Sequence, residues 1–282
     1  MKLFTKIALG IAGFFAGMAV ICAIIAFSMG FTTNDFMDMV YAGKFQFDFG
    51  NDIEIHLFDE DDEIELNHTT GHHGSHHDAT EESSTKLDVE YGAGKLEIYY
   101  SDVSNITVEQ EGVKDFRAEQ EGDTFFVEGG LGITNNSKAS LRILIPEGMQ
   151  FEEIDLEIGA SDANIRDLKA EEIDIVVGAG VANISNVNAN VLNLEVGAGQ
   201  ANIQNLQVRT LDLETGVGKV NVEIFGAESD YNYNVECGIG EVKVGNHSYS
   251  GLGAEQNITN PNALYQMDIE CGIGEVDVHF TK

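Results

Sequence analysis

The chain has 282 residues and carries 48 aspartate and glutamate residues against 15 lysine and arginine residues, a formal net charge of -33. A surface this acidic offers no basic patch to neutralise phosphate groups, so the composition argues against nucleic acid as a partner and favours cations or cationic peptides. Tryptophan is absent and proline occurs twice, whereas glycine occurs 31 times, which favours β-structure with many turns.

The first predicted element is a membrane anchor. Residues 7–31 (IALGIAGFFAGMAVICAIIAFSMGF) carry no charge and are long enough to span a hydrocarbon core of about 30 Å. The alternative is a secretory signal, whose apolar part is usually shorter and ends in a small-x-small cleavage site. The end of this run offers only a poor site of that kind. We therefore expect an uncleaved transmembrane helix.

The basic residues around this helix predict its orientation. Lys2 and Lys6 precede it, so residues 1–6 are expected in the cytoplasm and the rest of the chain outside the cell, in a single-pass protein of the cell membrane. Gly13 and Gly17 form a G-x-x-x-G pattern that would permit a homo-oligomer through this helix. Ordinary glycines of a transmembrane helix explain the same pattern.

Residues 32–85 are predicted to be an acidic, histidine-rich flexible linker. A short strand-like piece at 45–58 is followed by five acids at 59–63, and the remainder has no apolar period. Imidazoles at such spacing are suitable ligands for a divalent metal such as zinc, copper or nickel, so metal binding is the alternative to a polar spacer. The candidate ligands are His68, His72, His73, His76 and His77.

From Lys86 onwards, apolar and polar residues alternate in short runs separated by glycine-containing turns, which predicts strands. Between residues 151 and 226 the pattern recurs every 19 residues. Alternation inside a longer fixed repeat predicts a β-solenoid, in which each repeat is one coil and neighbouring coils pair at about 4.8 Å. The predicted fold is therefore all-β, a β-solenoid over 86–282 with looser coils and a cap in 227–282.

Aligning the regular repeats produces columns with specific expectations. The first glycine of each G-x-G is expected where the chain bends, and the small residue between the glycines is expected to point inward. Repeated G-x-G without a following helix argues against a nucleotide-binding loop. The aligned sets are the glycines 159, 178, 197 and 216, the inward small residues Ala160, Ala179, Ala198 and Val217, the closing apolar column Leu168, Val187, Leu206 and Phe225, and a predicted asparagine ladder of Asn164, Asn183, Asn202 and Asn221.

The last part of the chain interrupts the repeat between Val244 and Met267. Insertions in solenoids become loops on one face and often bind partners, although a cap over the last coil explains the insertion equally well. The candidate contact residues are Tyr231, Tyr233, Tyr249 and Tyr265. Cys237 and Cys271 share one aligned column, and we expect two buried free thiols there rather than a disulfide.

Catalysis and built-in calcium both fit the sequence poorly. A calcium-binding repeat needs an aspartate after the glycines in every coil, and the equivalent position holds Asp162 in one copy only. Four arginines, no tryptophan and no apparent Ser–His or Cys–His pairing argue against a polysaccharide-cleaving site. We therefore predict a non-enzymatic protein without a cofactor, apart from the metal alternative in the linker.

The motifs VECGIGEVKVGNHSYSGLG and IECGIGEVDVHF, the early YGAG and the preceding LRILIPEGM resemble a bacterial putative-adhesin family of β-strand repeats, a domain of unknown function. The resemblance extends from Lys86 to Lys282. It implies a bacterial cell surface, and some members of that family are linked with envelope-stress systems. It supplies no catalytic residues. The predicted function is a membrane-anchored surface interaction or scaffold module, in envelope-stress sensing or adhesion, with cationic peptides or cell-envelope components as partners. An extracytoplasmic metal or cation binder is the alternative.

Overall fold

The computed structural model describes residues 75–78, by their backbone, together with 84–130 and 139–281. All of them fall within one compact unit, Gly74–Lys282. The predicted anchor, and the linker apart from its last residues, lie outside the described residues. Within the described ranges no helix is both long enough and apolar enough to cross a membrane.

Strands dominate the described residues, which confirms the all-β prediction, and one short 3₁₀ turn (Glu228–Asp230) accompanies them. One strand forms inside the segment expected to be linker. The strands are β1 (Ser75–Asp78), β2 (Lys86–Ser101), β3 (Thr107–Glu111), β4 (Arg117–Glu121), β5 (Thr124–Gly129), β6 (Ser140–Pro146), β7 (Phe151–Arg166), β8 (Lys169–Val177), β9 (Val181–Val196), β10 (Gln200–Gln207), β11 (Thr210–Phe225), β12 (Tyr231–Val244), β13 (His247–Ser250), β14 (Ala254–Ile258) and β15 (Tyr265–Thr281).

The regular repeats stack in parallel with a register of 19 residues, as a solenoid requires. Ile154 pairs with Ile173, which pairs with Leu192, and Leu192 pairs with Leu211. The second half of each coil keeps the same register, as the pairing of Ala182 with Ala201 shows. Each coil thus consists of a first strand and a second strand, joined at the glycine corner.

Both strands of a coil bury alternate side chains in one shared core. This alternation leaves the other side chains of each strand on a solvent-facing wall, so the stack has two walls, one from the first strands and one from the second strands. The first strands contribute three buried aliphatic columns, which are residues 154, 173, 192 and 211; residues 156, 175, 194 and 213; and residues 158, 177 and 196. The second strands contribute two more, which are residues 163, 182, 201 and 220; and residues 165, 184, 203 and 222.

Two of the predicted inward columns are wrong in part. Ala160, Ala179 and Ala198 are exposed, because the residue between the paired glycines lies at the outer corner of the coil. Phe225 is 55% exposed, and Ile224 takes its expected place in the core. The register between β10 and β11 shifts by one residue after Ile203, so that Leu206 pairs with Ile224.

The corner glycines of the regular coils are needed for space, whereas Gly240 and Gly274 in the later coils also have positive φ angles, of 149° and 155°. A Cβ atom on Gly180 would lie 2.3 Å from the carbonyl oxygen of Ser161, and one on Gly199 would lie 2.4 Å from that of Gly180. Real Cβ atoms do not approach an oxygen so closely. Stacked corners therefore require glycine because backbone lies directly on backbone.

The other corner of the coil contains a polar ladder that the repeat alignment did not predict. Asp167, Asn186 and Asn205 have positive φ angles of 64°, 57° and 56°. The Asn186 amide donates to the Asp167 carboxylate at 2.7 Å, and the Asn205 amide donates to Asn186 at 2.9 Å. Asparagine and aspartate tolerate this left-handed turn better than other side chains.

Levels of the stack do not follow chain order at either end. β2 lies between β7 on one side and the pair β5 and β6 on the other. At the far end β15 lies between β11 and β12, in parallel register with both. The predicted looser coils therefore exist, but the last one in sequence is not the outermost.

Short antiparallel strands cover both ends of the stack. β4 pairs with β5 and β3 pairs with β6 at one end, and β1 pairs with β3. At the other end β13 and β14 each pair with β12. Short polar end strands of this kind discourage edge-to-edge association.

Candidate functional site

The outward side chains of the first strands form a wall in which acids predominate, with Val176, Asn193 and Asn234 among the interruptions. In the stacking register Asp88 is opposite Asp155, Asp155 is opposite Asp174, and further along Asp212 is opposite Asp268. A parallel row of glutamates lies beside this aspartate row. Levels about 4.8 Å apart bring the carboxylates of each row close together. We call this wall the acidic face; its carboxylates from β2 to β12 are Asp88, Glu90, Glu153, Asp155, Glu157, Glu172, Asp174, Glu195, Asp212, Glu214, Glu236, Asp268 and Glu270.

Basic side chains are found only at one end of this face. Lys86 Nζ lies 2.8 Å from Glu153 Oε2, and Arg117 pairs with Glu119 and Glu121 on β4. From β5 to β14, across the described part of the chain, the aspartate row and the glutamate row contain no lysine or arginine. The repulsion between these carboxylates is therefore not offset by a positive charge from the rows themselves, although the Asn193 amide donates to Asp174.

This crowding shows in the pKa values of the carboxyl groups. Partial burial raises the pKa of Asp155 to about 6, and the neighbouring Asp88 and Asp174 carboxylates act in the same direction. Partial burial also raises the pKa values of Asp88, Glu90, Asp174 and Glu195. Ionising these carboxyl groups therefore costs free energy in the folded chain, chiefly because they are partly buried, and a cation bound against the face would reduce that cost.

The wall formed by the second strands is chemically different. Asn202 donates to Asn183 at 3.0 Å, and Asn221 donates to Asn202 at 2.8 Å, which confirms these three members of the predicted ladder. Asn164 lies in the same row but makes no such bond to Asn183 within the described residues. Arg142 on this wall contacts Glu97 at 2.8 Å and Glu109 at 2.9 Å. We call it the amide wall; its charges are mixed and largely paired.

A polar cluster joins the cap to the last level of the stack. Tyr233 donates to Glu228 Oε1 at 2.7 Å, and His247 Nδ1 lies 2.9 Å from the same oxygen. The hydroxyl groups of Tyr233 and Tyr249 are 3.2 Å apart. Burial, together with these neighbours, raises the pKa of Tyr233 well above its usual range. The cluster fixes β13 over the end of β12.

The predicted contact tyrosines divide into two pairs. Tyr231 and Tyr233 are each only 2% exposed, so they are core residues and not contact residues. The Tyr231 hydroxyl donates to the Val208 carbonyl at 2.6 Å. Its ring packs against that of Tyr265 in a tilted arrangement, with ring centroids 5.3 Å apart. Tyr249 and Tyr265 are half-buried and keep part of their surface at the cap. The signal for this was present in the sequence, because the period-two pattern around residues 231 and 233 favours the inward side for both.

The histidine cluster lies almost wholly outside the described residues. Of the candidate ligands, His76 and His77 belong to β1, whose backbone pairs with β3, whereas His68, His72 and His73 fall outside. Within the described ranges no group of three or more histidine, cysteine, aspartate or glutamate side chains is arranged to hold a metal ion. Metal binding by the linker stays a prediction.

Cys237 and Cys271 are buried free thiols, as expected. Cys237 and Cys271 are register partners on β12 and β15 and are 2% and 3% exposed. Burial raises the pKa of the Cys271 thiol to about 12, and the adjacent Cys237 acts in the same direction. Such thiols behave as small apolar side chains and are poor nucleophiles.

Sequence analysis missed two of these features. It did not identify the acidic face, although the same 19-residue alignment places Glu157, Glu195 and Glu214 in one column, with Val176 between the first two. It also missed Glu228 and His247, which meet only because the cap folds back over β12. No repeat register connects those two positions, so only the structure could pair them.

Comparison with known proteins finds a family model that matches part of the chain. Residues 185–245 match the family model described as the N-terminal domain of toast_rack, DUF2154. Over these residues the resemblance to a bacterial domain family of unknown function is confirmed. No curated protein matches the chain.

Solved structures similar to this chain share low sequence identity with it. One, described as a putative cell adhesion protein from Clostridium sporogenes, is 16% identical with a TM-score of 0.44, over 74% of this chain and 100% of that one. A second, described as a putative adhesin from Bacteroides fragilis, is 12% identical with a TM-score of 0.40, over 74% and 98% of the two chains. A third, described as a putative adhesin from Parabacteroides distasonis, is 13% identical with a TM-score of 0.30, over 72% and 97%.

Proposed function

We propose that this chain is a non-enzymatic surface module, in which residues 7–31 anchor a β-solenoid to the outside of the cell membrane and the acidic face binds cationic peptides or other cationic components of the cell envelope. The domain then acts in adhesion or in sensing agents that damage the envelope. The observation that carries this proposal is the contrast between the two walls of the stack. From β2 to β12 the acidic face presents carboxylates on every level and one lysine, Lys86, at one end, whereas the amide wall presents charges of both signs, largely in ion pairs, and hydrogen-bonded amides.

The geometry suits an extended cationic chain better than a small ligand. Carboxylates recur along each row at one or two level spacings, so many weak contacts can form at once. Parallel strands paired along the whole stack hold the rows in fixed positions, which lowers the entropy cost of binding. Opposite charge also accelerates association at low ionic strength.

Binding of a cationic antimicrobial peptide to the purified full chain in detergent tests this function. We compare Glu157→Gln/Glu195→Gln on the acidic face with Asp162→Asn/Glu223→Gln on the amide wall, which removes the same charge. The proposal expects the first variant to weaken binding several-fold more than the second, at both low and physiological salt. Equal losses in both variants, or binding that disappears at physiological salt, would leave only a generic acidic surface.

A further inference from the structure

β11 and β12 are consecutive long strands of the stack, yet they do not pair with each other. β15 lies between them and pairs in parallel with both, from Thr210 opposite Gln266 to Phe225 opposite Thr281 on one side. On the other side the register runs from Tyr231 opposite Tyr265 to Val244 opposite Val278. Without β15, the chain up to β14 would therefore have a gap one level high between β11 and β12, and β15 fills this gap.

The length of one connection explains this gap. Corresponding positions in the regular coils are 19 residues apart, whereas Gly216 and Gly238 are 22 residues apart. The additional residues form the 3₁₀ turn Glu228–Asp230, between β11 and β12. This longer connection places β12 one level, about 4.8 Å, further along the stack than a regular connection would. β11 and β12 therefore each present an unpaired parallel edge to the level between them until β15 occupies it.

Only a strand with glycines in the right places fits the gap. A Cβ atom on Gly274 would lie 2.0 Å from the Gly218 carbonyl oxygen, and one on Gly240 would lie 2.0 Å from the Gly274 carbonyl oxygen. β12 and β15 share the sequence ECGIGEV, which places glycines at both corner positions. The segment best suited to the gap is therefore β15 itself, from this chain or from another copy.

The connection into β15 has the properties of a hinge. Residues 259–264 run from β14, on the outer side of β12, to β15 on its inner side. Leu264 within it is 85% exposed, and Pro261 stiffens it. Asn260 attaches it to β12 by donating to the Tyr231 carbonyl at 2.6 Å. A stiff, exposed connection between two paired strands is where exchange between copies occurs at low cost.

We infer that the gap between β11 and β12 is a strand-acceptor site that a second copy of this chain fills with its own β15, giving a dimer by exchange of the last strand. The exchanged strand makes the same contacts as the internal one, so the dimer loses little apart from hinge contacts. Exchange requires β15 to leave the stack, so dimers form during folding and then persist.

Refolding of the full chain in detergent, at low and high protein concentration, tests this inference by light scattering after size exclusion. Two copies with different tags should yield mixed dimers when refolded together and none when mixed after folding. A dimer made through the N-terminal segment would instead exchange on simple mixing. The fraction of persistent dimer should rise with the concentration at refolding.

A hinge deletion provides a second, independent test. After removal of residues 260–263, only Thr259 and Leu264 connect β14 to β15, which lie on opposite sides of β12. The connection must then cover two inter-strand spacings, a distance that a fully extended chain of this length barely reaches. The internal arrangement then becomes strained while the exchanged one does not. We expect at least a roughly tenfold higher dimer-to-monomer ratio, equivalent to about 1.4 kcal/mol. The control replaces the same four residues by Gly-Ser-Gly-Ser, which keeps the length; because it also removes Asn260 and the stiff Pro261, its ratio should not exceed that of the wild type.

Two outcomes would overturn the inference. One is wild-type protein that refolds only to monomer at every concentration. The other is a deletion variant with a native β-sheet spectrum that remains monomeric. Neither outcome bears on peptide binding by the acidic face, which a monomer presents equally well.

Discussion

Gly274 stacks on Gly218 so closely that a Cβ atom on Gly274 would lie 2.0 Å from the Gly218 carbonyl oxygen, although the two residues are 56 positions apart in the sequence. Backbone contacts of this kind recur at each glycine corner. They are not equally tight, because a Cβ atom on Gly178 would lie 3.2 Å from its nearest neighbour, the Gly159 carbonyl oxygen. The corners therefore differ in how well they tolerate a side chain.

The first prediction compares alanine at these two corners. Gly274→Ala should lower the free energy of unfolding by about 3 kcal/mol or more, because strand β15 must shift to relieve the clash and because residue 274 has a φ of 155°, which alanine rarely adopts. Gly178→Ala should cost about 1 kcal/mol or less, since a shift of a few tenths of an ångström is enough. Urea denaturation followed by circular dichroism measures both. Equal costs would mean that the corners are held by something other than backbone contact.

Much of this fold follows from the sequence because each repeat supplies the same information. The 19-residue spacing predicted the pairing of Ile154 with Ile173 and of Asn183 with Asn202, and both are present. What failed was local. β11 is one residue shorter here than the regular coils, because Val222 and Ile224 are two residues apart where Ile203 and Leu206 are three apart, and Phe225 is thereby moved out of the core. The alternation in VNVEIF favours Ile224 as the inward residue, but the 19-residue alignment assigned Phe225 to that column.

The order of levels at the ends was beyond the sequence for a different reason. β12 and β15 carry the same motif, so the pattern fits either strand against β11 equally well. The longer spacing before Gly238 was visible, but its meaning depends on where the connection passes in three dimensions. The acidic face was likewise present in the alignment, and only stacking converts separate alternating acids into continuous rows.

A second prediction concerns a hydroxyl group in the core. Thr215 is 4% exposed, and its Oγ1 has no hydrogen-bond partner among the described residues. Val177 and Val196 occupy the same column in neighbouring coils, so valine fits the position. Thr215→Val should therefore raise the free energy of unfolding by about 1 kcal/mol, because it removes a buried polar group that makes no bond.

Thr107→Val is the matched control for this change. Thr107 is 5% exposed, but its hydroxyl donates to the Asn105 carbonyl at 3.1 Å. Its replacement should lower the free energy of unfolding by about 1 kcal/mol. Opposite signs for the two substitutions, measured under the same urea conditions, are the expected result, and destabilisation by both would contradict it.

A third prediction is that the domain becomes less stable as the pH rises through the range where the acidic face ionises. Burial, with Asp88 and Asp174 nearby, raises the pKa of Asp155 from 3.8 to about 6. The folded chain therefore holds this proton more tightly than the unfolded chain, and stability is lost between those two pH values as the proton leaves. The melting temperature should be higher at pH 5 than at pH 7, and added salt should reduce the difference.

Asp155→Asn tests the contribution of this one group. At pH 7 the variant should be more stable by about 1 kcal/mol, allowing for solvent screening of a half-buried carboxylate, or roughly 2–4 °C in melting temperature. At pH 4 the gain should be smaller. Asp162→Asn, an exposed acid on the amide wall, should change neither value appreciably. A melting temperature that rises with pH in the wild type would refute the electrostatic cost assigned to the acidic face.

The fourth prediction is that the register pair Cys237 and Cys271 resists thiol reagents in the folded chain. Burial raises the pKa of Cys271 to about 12, so little reactive thiolate is present near neutral pH. In a Cys22→Ser background, a chromogenic disulfide reagent at pH 8 should titrate no thiol quickly in native protein and two after unfolding in urea. A thiol that reacts at the rate of a free cysteine in native conditions would show that the end of the stack opens readily.

The fifth prediction concerns the cluster that holds the cap. The Glu228 carboxylate contacts both the Tyr233 hydroxyl and the His247 ring, so Glu228→Ala leaves both without this acceptor. Amide hydrogen exchange in β13 should accelerate by about tenfold, equivalent to roughly 1.4 kcal/mol of local stability, while exchange in β8 and β9 stays unchanged. Glu236→Ala, an exposed glutamate on β12 outside the cluster, is the control and should leave β13 protected. Equal acceleration in both variants would assign the cap's stability to strand pairing alone, since Glu228 would then contribute no more than a surface acid.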